Sequence, residues 1–404
     1  MFKPLSLRQE CFGSGSGGLL LQGDGSREDA RLAPFRHQVQ MVYLDPPFLT
    51  GSSFPRRQPV GESGWRWGKP VLPMAGYGDK LSTEAWEALV TGFITQAQSL
   101  LTPTGVLALH LDWHASARGK LLCDKLLGEK RFMNEIVWAY ETGGRATTHF
   151  SRKHDTILLY AAGAHPRFDI RRVPMTVRAT RHNHMKREIS PEGRPCRTIR
   201  SAGKVYRYYD DAPVYPSDVW TDLAPLQQRD PERTGWPTQK PVALLTRLLR
   251  PVCAEGDWVA DLCGGSGVTA AAAWQEGMRF LVMDKSPAAL ACARKRLVGA
   301  AYLGEIPQND ASAVLTGAVD GTRVSLTSYV STRTCPLPLK GLDAVEQWSV
   351  GHVTGEVFYP LLTYARSTMS PALPADSLLP EGGDNVAVEI VDLWGDRQVY
   401  AWQE

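Results

Sequence analysis

The sequence predicts an α/β protein built on a mostly parallel sheet, and three features carry that expectation. From residue 236 to 300, helix and strand patterns alternate: a helix after Pro241, a strand at 257–262, a helix from 267, a strand at 279–284 and a last helix opened by Ser286-Pro287. Near the start, Val42-Tyr43-Leu44-Asp45-Pro46-Pro47-Phe48 is an apolar run ending in an acid, two prolines and an aromatic. Far downstream, Val259-Ala260-Asp261-Leu262-Cys263-Gly264-Gly265-Ser266-Gly267 is a second apolar run, ending in an acid and a glycine-rich turn. The first suits a strand whose tip aims a carboxylate and a ring at a flat polar substrate. The second suits a strand, turn and helix that hold a nucleotide-like cofactor. Singly each is unspecific, because Pro-Pro also terminates strands and glycine-rich turns recur across α/β proteins.

The remaining elements follow in order. Residues 19–25 read as a short strand and turn, and 39–45 as the strand carrying Asp45. A glycine- and proline-rich loop extends to about residue 80. Ser82 or Thr83 caps a helix whose Trp86, Leu89, Val90, Phe93, Ala97 and Leu100 share one face as core residues. Thr104-Gly105 turns into the strand Val106 to Leu111, with Asp112-Trp113-His114 at its end. Residues 116–128 suit a helix, and 134–140 and 155–161 are two strands able to pair as a hairpin. From 162 to 235 the chain is basic and proline-punctuated, an inserted module or ordered loop set. Beyond 300, alternating Val, Leu, Tyr and Trp with Gly and Pro breaks suggest a small β-rich domain.

Composition bounds the rest. At 404 residues, 43% apolar and 22% charged, the chain has room for two or three domains and the balance of an ordinary globular protein. No apolar stretch is long enough to suggest a membrane span, and the first twenty residues are polar and glycine-rich, unlike a secretory leader. The seven cysteines are odd in number, scattered and free of any C-x-x-C pair, which argues against a disulfide framework or a metal cluster and for a reducing cytoplasm. The net charge of +3 hides an asymmetry. Residues 301–404 hold 5 Lys and Arg against 13 Asp and Glu, whereas residues 165–209 hold 12 against 3. The basic stretch is an electrostatic footprint for a polyanion, with Arg171, Arg172, Arg178, Arg181, Lys186, Arg187, Arg194 and Arg197 as candidate contacts.

The ordered motifs resemble the amino-methylating DNA methyltransferases of the β arrangement, in which a D-P-P-[YF] motif precedes the target recognition region and the cofactor half comes last. Supporting segments are Gly76-Tyr77-Gly78-Asp79, Leu109-His110-Leu111-Asp112, Asn134-Glu135-Ile136-Val137-Trp138, His154-Asp155-Thr156-Ile157-Leu158-Leu159-Tyr160, Trp236-Pro237-Thr238-Gln239-Lys240-Pro241, Met283-Asp284 and Arg296-Leu297. The resemblance spans roughly residues 19–300 and implies a Rossmann-like, S-adenosylmethionine-dependent methyltransferase fold with a mostly parallel seven-stranded sheet. It implies a catalytic half at 1–161, a target recognition region at 162–235 and a cofactor half at 236–300, followed by the acidic β-rich domain at 301–404. The implied activity is site-specific methylation of adenine in double-stranded DNA, in a bacterial or phage-like cytoplasm. A homodimer and a separate restriction subunit are the implied protein partners.

The resemblance makes Asp45, Pro46, Pro47 and Phe48 the catalytic residues. Asp45 and a carbonyl of the Pro46-Pro47 turn would accept the two N–H groups of the target amine, while Phe48 stacks on a base drawn out of the duplex. S-adenosylmethionine would lie against Asp261, Cys263, Gly264, Gly265, Ser266 and Gly267, with Asp284 on its ribose, Thr238 and Lys240 at its carboxylate and Asp24 near its ammonium. His110 and Asp112 would line the site. The chain departs from the family pattern at Leu262, Cys263 and Val268, where a proline, an aromatic and a threonine are usual, which weakens the cofactor side without removing a catalytic group. Alternatives open at this level are amino methylation of cytosine, methylation of RNA or a protein, and a catalytically silent DNA-binding subunit.

Overall fold

Strands buried on both faces are almost wholly apolar, and Val39–Leu44, with all six residues buried and Gln40 its one polar member, is such a strand. In the computed structural model, which describes residues 1–141, 146–177, 185–209, 212–227, 230–306, 313–379 and 385–403, it occupies the middle of a mostly parallel sheet. The order is Gly18–Gln22, Arg279–Asp284, Trp258–Asp261, Val39–Leu44, Leu101–Leu111, His154–Ala161 and Phe132–Ala139. The first five run parallel; His154–Ala161 is antiparallel to both of its neighbours. This is the expected seven-stranded methyltransferase sheet.

Alternate residues feed two cores, as the strand period requires. Met41, Tyr43, Val106 and Ala108 pack with Leu244, Leu245 and Leu248 of the helix Val242–Leu249 and with Ala270, Ala272 and Ala273 of the helix Val268–Gln275. Val42, Leu44, Leu107 and Leu109 pack with Trp86, Val90, Phe93 and Ile94 of the helix Thr83–Leu100 and with Cys123 of Ser116–Leu127. Ser82 caps the first of these helices through Ala85 N–H, and Ser286 caps Pro287–Arg296 through Ala289 N–H.

Two expectations need correction. The segment up to residue 80 is not a loop: Ser53–Pro59 and Val71–Gly78 pair antiparallel around the short helix Gly61–Trp67. Its buried positions include Arg56 and Gln58, so the usual apolar alternation was missing. The first dozen residues do not belong with the catalytic half. Phe2–Leu5 pairs with Arg397–Trp402, and Gln9–Phe12 bridges Tyr302–Glu305 and Val357–Ala365, so the acidic C-terminal strands continue the central sheet to fifteen strands. A buried ionic cluster seals the junction: Arg294 of the last helix and Arg397 both bind Glu10 and Glu389. Removing one partner would strand a buried charge.

The basic segment contributes an antiparallel sheet of Lys186–Ile189, Pro195–Ser201 and Lys204–Tyr209, and returns to the main sheet where Val219–Trp220 runs parallel to Val137–Trp138. Among the described residues, no helix is long and apolar enough to cross a membrane, and no group of three or more His, Cys, Asp or Glu could hold a metal ion.

Candidate active site

Three adjacent parallel strands end in acids. Asp45 follows Val39–Leu44, Asp261 ends Trp258–Asp261 and Asp284 ends Arg279–Asp284, and the cross-strand pairs Asp261 with Tyr43 and Asp261 with Val282 bring the three tips to one edge. Ligands of open α/β sheets sit at that carboxyl edge. Here it holds a cavity of about 240 Å³, bounded by the Asp45-Phe48 turn on one side and the Asp261-Ser266 turn on the other.

On the substrate side, both Asp45 carboxylate oxygens accept hydrogen bonds from Lys240 Nζ, at 2.7 and 3.0 Å, and that ammonium lies 5.0 Å from the Phe48 ring centroid. Behind Phe48, the His110 ring is stacked at 6.0 Å and fixed by the Tyr43 hydroxyl on Nδ1 (2.8 Å) and by Asp155 on Nε2 (3.1 Å). Asp79 clamps the turn. Its carboxylate accepts from the N–H groups of Phe48, Leu49 and Thr50 and from the Thr50 hydroxyl, at 2.7–3.1 Å. The clamp holds Leu49 at φ +63°, a conformation costly for a branched side chain. Trp86 Nε1 donates to the Pro47 carbonyl at 2.6 Å.

On the cofactor side, Asp261 accepts from the Thr269 hydroxyl (2.6 Å) and from Cys263 N–H (3.1 Å). Burial pushes its carboxyl up to about 7. Asp284 accepts from the N–H groups of Gly265 (2.9 Å) and Ser286 (2.8 Å), and burial raises its carboxyl too. Burial likewise pushes the Cys263 thiol well up, which makes it an inert lining group. Gly267 sits at φ +72° with the site of a Cβ only 2.4 Å from Ala293 Cβ, so a glycine is required for the last helix to pack.

A protein-family model described as DNA methylase, for N6 and N4 methyltransferases, matches residues 39–295. The chain belongs to this family. S-adenosylmethionine is therefore its methyl donor and DNA its substrate class. Among curated proteins, the type II methyltransferase M.EcaI of Enterobacter cloacae is 23% identical over 330 residues, 70% of each chain. The type III restriction-modification enzyme EcoP15I Mod subunit of Escherichia coli is 24% identical over 35% of this chain and 24% of its own. M2.DpnII of Streptococcus pneumoniae is 41% identical over 20% of this chain and 30% of its own. Similar solved structures include the PvuII DNA methyltransferase (cytosine-N4-specific), with 14% identity, coverage of 73% of this chain and 89% of that one, and a TM-score of 0.46. The M1.HpyAVI–SAM complex matches with 13% identity, 69% and 98% coverage and a TM-score of 0.41.

For this methyltransferase, the cavity is lined by Asp24, Asp45, Pro46, Pro47, Phe48, Thr238, Lys240, Asp261, Cys263, Gly264, Gly265, Ser266 and Asp284. Gly267 stands apart, its role being the close approach of two helices. Lys240, expected at the cofactor carboxylate, lines the cavity and donates to Asp45. Thr238 meets the Tyr77 hydroxyl at 3.0 Å. His110 lies beneath the cavity rather than lining it, while Leu89 and Phe93, expected as core alone, also face it. Sequence reasoning missed Asp79, Tyr77 and Trp236 as site residues. All three lie in segments quoted for the resemblance, but the clamp is visible only when residues 48–50 and 79 meet.

The candidate DNA contacts divide. Arg172 and Arg187 are exposed, and the exposed Lys186 pairs with Glu188 at 2.8 Å. Arg194 is exposed and lies over the Tyr209 ring. Arg171 is engaged by Asp169 at 2.7 and 2.9 Å. Arg197, also expected at DNA, is buried in the small sheet. Arg178 and Arg181 lie outside the described residues.

Proposed function

We propose that this methyltransferase transfers a methyl group to the exocyclic amine of an adenine drawn out of double-stranded DNA. The observation that carries this reading is the clamped Asp45-Pro46-Pro47-Phe48 turn facing three cofactor-side groups across one cavity. Those groups fit S-adenosylmethionine: Asp284 offers a carboxylate to ribose hydroxyls, Gly265 lets the backbone come close, and Asp261 supplies negative charge for a cationic ligand. When bound, the cofactor provides an electrophilic methyl on an excellent leaving group.

The chain does the rest by positioning. An aromatic amine is a poor nucleophile because its lone pair is shared with the ring. Asp45 accepts one N–H, using carboxylate lone pairs that remain beside Lys240. A backbone carbonyl of the Pro46-Pro47 turn accepts the other N–H, that of Pro47 being already held by one bond from Trp86. Two such bonds favour a pyramidal nitrogen and expose its lone pair. Phe48, backed by His110, stacks on the base.

The Asp before Pro-Pro, where a Ser is usual for cytosine amines, supports adenine. Residues 162–235 would read the sequence and 301–404 serve packing or association. The cytoplasm is the proposed location, and the restriction-modification names of the relatives suggest a separate restriction subunit as partner. Methylation-sensitive long-read sequencing of DNA from cells expressing the chain tests the reading. The expected result is N6-methyladenine at one short motif; N4-methylcytosine, or no modified base, would contradict it.

A further inference from the structure

An exposed aromatic cluster stands beside the proposed base pocket and has no part in the chemistry above. The described residues 146–153 lead into His154–Ala161 at the edge that carries Asp45, because Leu44 pairs with Leu109, Leu111 with Thr156 and Ala139 with His154. Strand spacing puts the Asp45 and His154 strands roughly 10 Å apart. A duplex delivering a base to Asp45 passes this same edge of the sheet.

Three side chains there form a stack. The Arg152 guanidinium lies 3.6 Å from the centroid of the Trp113 ring, and the His114 ring lies 3.5 Å from it. Asp112 holds His114 by Nδ1 at 2.7 Å. Two residues before Arg152, the Phe150 side chain is 97% exposed, more than any other large apolar side chain among the described residues. A bare phenyl on a surface is common enough. This one lies two residues from the stacked Arg152, before a strand that starts at the sheet edge of a site that must empty a position in a base stack. A base leaving the duplex gives up its stacking on both sides, and an apolar side chain inserted into the gap restores contact.

We propose that Phe150 enters the duplex and fills the position vacated by the extruded base, with the Arg152–Trp113 stack holding the loop and Arg152 meeting the adjacent phosphate. The inference rests on the DNA methylation reading. It is tested with Phe150→Ala and Phe150→Leu on two duplexes carrying the methylated site, one normally paired and one with an abasic position opposite the target. A second pair carries 2-aminopurine at the target, whose fluorescence rises on unstacking without any turnover.

Phe150→Ala should lower kcat/KM on the paired duplex by about tenfold or more and shrink the 2-aminopurine signal. On the abasic duplex, where extrusion costs little, it should match the wild type within about twofold. Phe150→Leu should retain most activity, and calorimetry should show unchanged cofactor affinity. An equal loss on both duplexes, or no loss on the paired one, would overturn the wedge. A wild-type chain that methylates neither duplex would overturn the reaction reading instead, and the 2-aminopurine signal would still decide the wedge.

Discussion

The two turns that face each other across the cavity are held by different means. The cofactor turn is built from its own neighbourhood: Asp261 is bonded by Cys263 and Thr269, and Asp284 by Gly265 and Ser286, with glycines wherever the backbone turns or packs closely. The catalytic turn is held from outside: Lys240 comes from 195 residues away, Trp86 from 39, and Asp79 from about 30 to grip the three residues after Pro47. A binding loop can thus be specified locally, whereas a turn that must aim one carboxylate and one carbonyl draws its precision from the whole domain.

The sharpest way to break the local turn is steric. Gly267→Val adds a Cβ onto Ala293 at a positive φ and should cost about 2–5 kcal/mol of stability, read from denaturant unfolding. For the catalytic turn, Asp79→Ala leaves three N–H groups without their acceptor. It should cost about 2–3 kcal/mol of stability, lower kcat and leave cofactor affinity within a few-fold, since nothing on the cofactor side touches Asp79. Asp284→Ala should do the converse, weakening S-adenosylmethionine binding by about 1–3 kcal/mol in calorimetry.

The smallest effect is a pH dependence. The Asp261 carboxyl, raised by burial to about 7, holds its proton in the folded chain well above the pH at which an unfolded Asp loses it. The fold alone is therefore favoured by this group at low pH, and that advantage fades between about pH 4 and 7. A cationic ligand needs the ionised form, so its binding releases a proton and weakens below about pH 7, by at most about tenfold per pH unit. Isothermal titration across pH 5.5–8 should show this slope in the wild type and a flatter one in Asp261→Asn.

The same contrast explains what could be read from the sequence. The cofactor strand, its turn and the two helices after it are local patterns, and Ser286-Pro287 marked its helix start because a cap and a first-turn proline need only neighbours. The Asp45 strand was legible through the apolar run Val42-Tyr43-Leu44 that leads into the acid. Asp79 was not assigned a role, because a carboxylate gripping the N–H groups of residues 48–50 leaves no local mark. The Lys240–Asp45 pair was not read for the same reason. Arg56 and Gln58 hid the Ser53–Pro59 strand by putting polar groups on its buried face. The assignment of residues 1–12 to the catalytic half failed because pairing between the first and last strands of a chain is invisible to any local pattern.

The account turns on Asp45 as the group that accepts the target amine. A single-turnover methylation assay of Asp45→Ala on duplex DNA, beside calorimetry of its cofactor binding, tests this most directly. The predicted result is loss of methyl transfer with S-adenosylmethionine affinity within a few-fold of the wild type; substantial methyl transfer by the variant would contradict the account.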